Sequence, residues 1–520
     1  MVENEVYCSP EIDSFDINLG AGDDWLFFST DKPGVLSGGT GDERFEAKAG
    51  ADVVLGGEGS DTYIALPCPR KAERGTSGEP CDPVASSAID TGPDTFFGGP
   101  GRDTADYSQV VAGASLSADG VANDGKPGEG DDIRPDVENI RGGPLSDRLA
   151  GSASDNELAG GGGDDTILGG SGQDLLDGGG GGDSLDGGVG SDRLFGREGA
   201  DSASYAARKA NVDVTLDDSA NDGEAGERDQ VGSDVENVIA GSGDDDVTGS
   251  SLANRLEGGG GEDFLDGRAG QDALLGGGAT DVLRLRDGAR DPQATCGPGT
   301  DFVIADPLET AARDCEDVDR VLSDNPALGR RVAVEPSGGS GVAAAATGKL
   351  RLRLPTSRRF VPLQDHLNLP VRSVIDAKAG RARVVSRAVG GRRPRQAGVF
   401  SAGLFQVLQS SARRRRGLTE LRLKGSSFRR CRVSRGRAGS AARRYSRRTV
   451  RRLRGSGRGR FRTRGRYSAA TVRGTAWTIA DRCDGTLTRV RRGRVAVRDF
   501  RRRRTVLLRA GKSYLARPLR

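Results

Sequence analysis

The chain has one histidine, one methionine, two tryptophans and an aromatic content of only 5%. A single histidine, His366, excludes any H-E-x-x-H zinc pair, because that pair needs two on one helix face. The G-x-S-x-G elbow and the P-loop lysine are also missing. A lone histidine in the plain context QDHLN (364–368) is more often structural than catalytic, so an enzyme is not expected. Long apolar runs are absent as well: none approaches the 18 residues of a membrane-spanning helix. The first twenty residues, MVENEVYCSPEIDSFDINLG, lack the basic start and apolar stretch of a signal peptide. They read as the interior of a module whose start lies upstream.

Cysteine is sparse, with seven in 520 residues and no C-x-x-C zinc spacing. Cys68 lies near Cys81, Cys296 near Cys315, and Cys431 and Cys483 both fall in the last third, leaving Cys8 over. Three neighbouring pairs and one remainder fit an oxidising compartment. Spacing alone leaves the connectivity open, and free buried thiols remain the alternative.

What is abundant is glycine, 81 residues, and charge of both signs, unevenly placed. Residues 331–520 hold 52 Lys and Arg against 7 Asp and Glu; residues 1–330 hold 24 against 68. The overall net charge of +1 therefore hides a −44 block joined to a +45 block. An acidic block of that density repels itself unless cations or a basic partner neutralise it.

The glycines are periodic. From Gly142 to Ser204 the chain divides without gaps into seven nonapeptides, among them GGSGQDLLD (169–177) and GGVGSDRLF (187–195). Five more run from Ala240 to Arg284, with weaker copies in phase at 38–64 and 89–106 and one at 19–27. Glycines at places 1, 2 and 4 suit a tight turn with φ > 0. Place 8 is apolar between polar neighbours, the pattern of a very short strand with one inward side chain. Six turn residues and three strand residues, repeated, predict a coil of stacked parallel strands.

Place 6 carries the chemistry: Asp147, Asp165, Asp174, Asp183, Asp192, Asp201, Asp245, Asp263, Asp272 and Asp281, with Asp52, Asp61, Asp94 and Asp103 in the weaker copies. If two nonapeptides complete one coil, Asp165 stacks on Asp183 and Asp174 on Asp192 at ~4.7 Å. Two carboxylates that close repel by about 3 kcal/mol at an effective dielectric near 20. A column of such contacts calls for cations between its members. Carboxylates together with turn carbonyls are hard oxygen donors, which select calcium over transition metals. Asn156 and Asn254 replace the Asp and Ala279 replaces a Gly, so calcium is not expected at those turns.

These nonapeptides resemble the RTX, or haemolysin-type, calcium-binding repeat G-G-x-G-x-D-x-U-x. The resemblance implies an all-β fold, a right-handed parallel β-roll with Ca2+ held between successive turns by the place-6 Asp and turn carbonyls. It also implies a bacterial secreted or cell-surface protein. A larger duplication interrupts the repeats: residues 101–140 match residues within 199–239 at an offset of 98, pairing Asn123-Asp124-Gly125 with Asn221-Asp222-Gly223 and Asp136-Val137-Glu138-Asn139 with Asp234-Val235-Glu236-Asn237. Asp124 and Asp222 are either extra calcium ligands or, on the plainer reading, turn-forming residues.

The expected organisation is therefore partial repeats with an inserted loop over 1–106, a duplicated roll over 107–325 closed by a capping turn at 287–319, and a linker at 326–348. A basic β-rich domain follows over 349–520. In that domain KLRLRL (349–354), RARVV (381–385), GVFSAGLFQVLQ (398–409) and LTELRL (418–423) alternate like half-buried strands, and the Arg-rich 429–466 reads as partly helical. Residues 471–516 are similar to a FecR-type β domain in GTAW (474–477), DGT (484–486), RGRVAV (492–497) and LRAGK (508–512). That similarity implies an association with the cell envelope. The Arg runs lack the interleaved aromatics of a nucleic-acid groove. They suit a solvated or self-docking face or an anionic cell-surface polymer. The expected function is a calcium-binding structural or adhesion-type protein. The alternatives are an accessory part of a secreted hydrolase system or a FecR-like envelope sensor.

Overall fold

The computed structural model describes residues 14–27, 32–47, 51–65, 92–307, 309, 313–320, 331–336, 350–363, 367–387, 395–409, 418–431, 433–434, 444–458, 460–472 and 475–518. Cys8, Cys68, Cys81 and His366 lie outside them. Among the described residues there is no α-helix, only one 3-10 turn (Phe428–Arg430), and the rest of the regular structure is β. No helix there is long and apolar enough to cross a membrane. The chain forms two compact units, residues 1–299 with 309–315, and residues 300–308 with 316–520.

The acidic unit is a parallel coil of eighteen-residue turns, two nonapeptides each. Glu157–Gly162 pairs with Leu175–Gly181, which pairs with Arg193–Gly199; Thr166–Leu168 and Ser184–Asp186 do the same on the opposite face. The place-8 residues stack in register, Leu158 on Leu176 on Leu194 and Leu149 on Ile167 on Leu185, with essentially no solvent exposure. Each such leucine contributes about 1.5–3 kcal/mol on burial. One per nine residues is a thin core, which leaves much of the stability to the turns.

The two insertions have a defined structural effect. Before the first, two parallel columns run side by side, one from Phe15–Ala21 to Asp132–Ile133 and one from Trp25–Phe27 to Gln230–Val231. The first insertion ends the former column and starts a new one at Ser115–Ser117, while the latter passes through from Thr104–Asp106 to Asn139–Arg141. The second insertion ends that column at Gln230–Val231 and opens another at Val212–Thr215, while Ser202–Ser204 continues into Asn237–Ile239. The boundary expected at 106/107 is accordingly no break: one sheet runs across it without interruption.

The second unit is built on a mixed, mostly antiparallel sheet around Val374–Arg387 and Arg395–Gln409. Its core gathers Phe400, Phe461 and Trp477, with Phe400 edge-on to both at 5.4 and 6.0 Å between ring centroids. The indole N–H of Trp477 donates to Thr463 Oγ1 at 2.9 Å. Two expectations change here. Arg331–Pro336, placed in the linker for its small and polar neighbours, is a strand paired with Leu367–Pro370 and Val374–Arg387. In the Arg-rich segment expected to be partly helical, Thr449–Arg458 and Phe461–Arg464 are strands, while 435–443 lie outside the described residues. Thr449–Arg458 has partners on both sides, Arg395–Gln409 and Thr475–Arg482, and that pairing overrides the helix preference of arginine.

Disulfides join Cys296 to Cys315 and Cys431 to Cys483. The sequence had left this connectivity open; disulfides in general persist in oxidising environments.

Candidate metal centre

In GGSGQDLLD (169–177) the glycines at places 2 and 4, Gly170 and Gly172, have φ of +104° and +130°. Place 1 does not require positive φ, contrary to expectation, and needs glycine for a different reason. A Cβ on Gly178 would lie 2.2 Å from Asp183 Oδ2 and 2.8 Å from Gly196 O. On Gly160 it would meet Asp165 Oδ2 at 2.2 Å and Gly178 O at 2.6 Å. The missing side chain leaves a cradle between a carboxylate oxygen and the carbonyl of the next coil.

The place-6 carboxylates form a ladder along the coil axis. Each Oδ1 accepts the backbone N–H of the place-6 residue one coil earlier: Asp165 from Asp147 (2.7 Å), Asp183 from Asp165 (2.8 Å), Asp201 from Asp183 (2.8 Å) and Asp192 from Asp174 (2.9 Å). Asp263 and Asp281 accept in the same way from Asp245 and Asp263, Asp174 from Asn156, and Asp272 from Asn254. Toward the N-terminus Asp52, Asp61, Asp94 and Asp103 accept from Gly34, Glu43, Asp52 and Asp61. All of these aspartates are buried.

The second oxygen divides them. In Asp52, Asp61, Asp103, Asp165, Asp174, Asp183, Asp192, Asp201 and Asp272 the Oδ2 atom is enclosed and has no hydrogen-bond donor. Burial, and then neighbouring carboxylates, push Asp52, Asp103, Asp165, Asp192 and Asp272 up to about 7. Burial likewise takes Asp174 to about 6 and raises Asp61, Asp183 and Asp201. Such oxygens call for a positive partner, and the donor set around them is all oxygen. A hard divalent cation of calcium's kind fits.

Three of the expected ligands are already satisfied. Tyr63 donates its hydroxyl to Asp94 Oδ2 at 2.7 Å, and the Gly143 and Gly241 N–H groups take Asp147 Oδ2 and Asp245 Oδ2. At Asn156 and Asn254 an amide NH2 stands at the ladder position and donates to the carbonyl of Glu138 or Glu236. Asp124 and Asp222 are structural clamps. Asp124 accepts from Ser117 N–H and Ile133 N–H, and Asp222 from Thr215 N–H and Val231 N–H, so both oxygens of each are used within the insertion.

Sequence reasoning missed several members. Glu43, at place 6 of GGTGDERFE, is buried with both carboxylate oxygens lacking donors, and burial followed by Asp61 pushes it up to about 8. Asp131 and Asp229 continue the ladder out of the insertions, accepting from Asp94 and Asp192 and from the hydroxyls of Tyr107 and Tyr205. Glu138 and Glu236 accept from Asp103 and Asp201. The in-phase copy at 38–64 and the duplicated D-V-E-N element were the available signals.

A parallel roll of nonapeptide half-turns carrying columns of half-satisfied carboxylates defines a repeat protein of the cation-binding class. The model of the RTX calcium-binding nonapeptide repeat matches the chain at 37–66, 141–176, 168–203 and 248–283, all within the acidic unit. These segments are RTX calcium-binding repeats. Comparison with curated proteins gives no match.

Proposed function

We propose that the chain is a non-catalytic, calcium-dependent structural protein of the bacterial cell exterior whose acidic roll folds on binding Ca2+. The observation that carries this reading is the column of buried Oδ2 atoms without donors, seated against glycines that leave room for no Cβ. In low calcium, self-repulsion of the −44 block favours an expanded chain. Where calcium is plentiful, Asp165, Asp183 and Asp201 on one face and Asp174 and Asp192 on the other would hold the ions, and ion binding becomes folding energy. The two disulfides support a location outside the cytoplasm.

The basic unit supplies the contact surface in this reading. Register aligns Arg422 with Arg464 on neighbouring strands. Such a surface suits an anionic cell-surface polymer.

Circular dichroism of the full chain, titrated with calcium after chelation, tests the proposal. The expected result is a cooperative gain of β signal near millimolar calcium that magnesium does not reproduce, in line with the roughly 10⁻⁴–10⁻³ M affinities of extracellular modules. A titration with no change in β signal overturns the reading.

A further inference from the structure

The basic unit gathers arginines that the sequence keeps apart. Pairing registers place Arg422, Arg464, Ala469 and Arg498 in one row across the strands Thr419–Leu423, Phe461–Arg464, Ser468–Val472 and Arg494–Asp499. Paired residues share a face of the sheet. Arg422 and Arg498 are exposed on that face and Arg464 is half-buried. Strand spacing puts the backbone of Arg464 ~4.8 Å from that of Arg422 and roughly 10 Å from that of Arg498, with only the methyl of Ala469 between the last two. Beside the row, Glu420 draws three guanidiniums together. Arg422 Nη2 and Arg464 Nη1 each stand 3.6 Å from its Oε1, and Arg462 Nη1 stands 3.8 Å from its Oε2. Each contact is longer than a hydrogen bond, and three cations around one carboxylate leave the group cationic.

Aromatic rings hold the neighbouring guanidiniums in place. Arg464 lies over Phe500 at 5.1 Å, and Arg451 and Arg466 lie over Phe428 at 5.2 and 4.4 Å. Burial, and then the charges of Arg422, Arg353 and Arg451, hold the Lys424 ammonium below its usual range, so cations crowd this end of the sheet. These rings carry guanidiniums, which sets the surface apart from a groove where bases stack on open aromatics. Next to the row stand Thr471 and Ala496, and Thr471 Oγ1 already accepts from Arg462 Nε at 3.2 Å. The surface therefore offers charge and little that reads sugar hydroxyls. We propose that the row Arg422–Arg464–Arg498 is the docking surface for a linear polymer that carries its charge in the main chain as phosphodiesters and has no nucleobases. Guanidinium forks match phosphate oxygens in pairs, and the depression at Ala469 admits a thin chain between two of them. The inference rests on reading the basic unit as the contact for an anionic cell-surface polymer, and it names that polymer's chemistry and its seat.

The test is titration calorimetry of the full chain with poly(glycerol phosphate) at fixed calcium and physiological salt. The parent chain is expected to bind, more weakly as salt rises. Arg422→Gln with Arg464→Gln is expected to weaken binding by roughly tenfold or more. Arg381 and Arg454, exposed and aligned through Ser401 in a different row, supply a control of equal charge change. Arg381→Gln with Arg454→Gln is expected to leave the affinity within about twofold of the parent's. Equal losses in the two double variants overturn the proposal. Should the first of them fail to fold, Arg498→Gln decides, because it breaks no ion pair among the described residues: an unchanged affinity again overturns it. Polyglutamate bound as tightly as poly(glycerol phosphate) overturns the phosphate assignment, and a single-stranded oligonucleotide bound more tightly overturns the base-free one. A parent chain that binds none of the three overturns the underlying reading of the basic unit instead.

Discussion

Gly178 and Gly180 sit two residues apart in one turn and answer to different constraints. A methyl at Gly178 collides with Asp183 Oδ2 and Gly196 O, whereas at Gly180 it meets nothing within 4 Å. Gly178→Ala is expected to lower the stability of the calcium-loaded chain by about 1–3 kcal/mol through overpacking. Gly180→Ala is expected to be neutral or stabilising by a few tenths of a kcal/mol up to about 1 kcal/mol, through the unfolded state. Urea unfolding at saturating calcium checks both. The same division of labour governs aspartates such as Asp165 and Asp183: Oδ1 accepts from the backbone of the previous coil and Oδ2, without a donor, is the proposed cation ligand. The sequence pattern places the carboxylate at position 6 but cannot separate its two oxygens. Asp94, Asp147 and Asp245, indistinguishable by motif from Asp165, are therefore told apart only by Tyr63, Gly143 and Gly241.

At the scale of elements, the insertions exchange one column for another while its neighbour runs through, and Asp124 and Asp222 are clamped within them. The basic unit contains a clamp of another kind. Asp499 closes the turn between Arg494–Asp499 and Thr505–Arg509, accepting from the N–H groups of Arg501 and Arg502 at 3.0 and 2.9 Å and from the Tyr514 hydroxyl at 2.8 Å. Burial pushes its carboxyl upward, but the Arg502 N–H, the Tyr514 hydroxyl, the Arg501 N–H and the charge of Arg502 outweigh burial and hold it below the ordinary 3.8. A carboxyl depressed on folding contributes stability above its unfolded value, and the contribution is lost as pH falls through the folded value. Urea midpoints of the basic unit's transition are therefore expected to drop on acidification below about pH 4. Asp499→Asn should remove the Asp499 share of that drop and lower stability at neutral pH.

For the whole molecule, the decisive property is two units of opposite charge held by different means. In the proposed reading the acidic unit depends on counter-ions for its columns; the basic unit has an aromatic core and the Cys431–Cys483 disulfide, which spans 52 residues. In calorimetry of the full chain, chelation is expected to abolish or lower the transition of the roll while leaving that of the basic unit in place. Reduction is expected to lower the transition of the basic unit, consistent with about 2–4 kcal/mol for a disulfide. A single transition shifted equally by both treatments would contradict this division.

The repeat by itself determined the coil, its eighteen-residue turn, its inward leucines and the candidate carboxylates, because each depends on spacing along the chain and every coil contacts only its neighbours. Several strands of the basic unit were legible from their local alternation, whereas the cysteine connectivity was not. What only the tertiary structure decided was non-local: which Oδ2 atoms lack a donor, the column exchange at each insertion, and the recruitment of Asp136, Glu138, Asp234 and Glu236 to turns more than thirty residues earlier. The strand at Thr449–Arg458 belongs with these, since its arginines favour helix locally and only two flanking partners make it β. Hydrogen-bond satisfaction is a property of everything around an atom, and spacing along the chain does not record it.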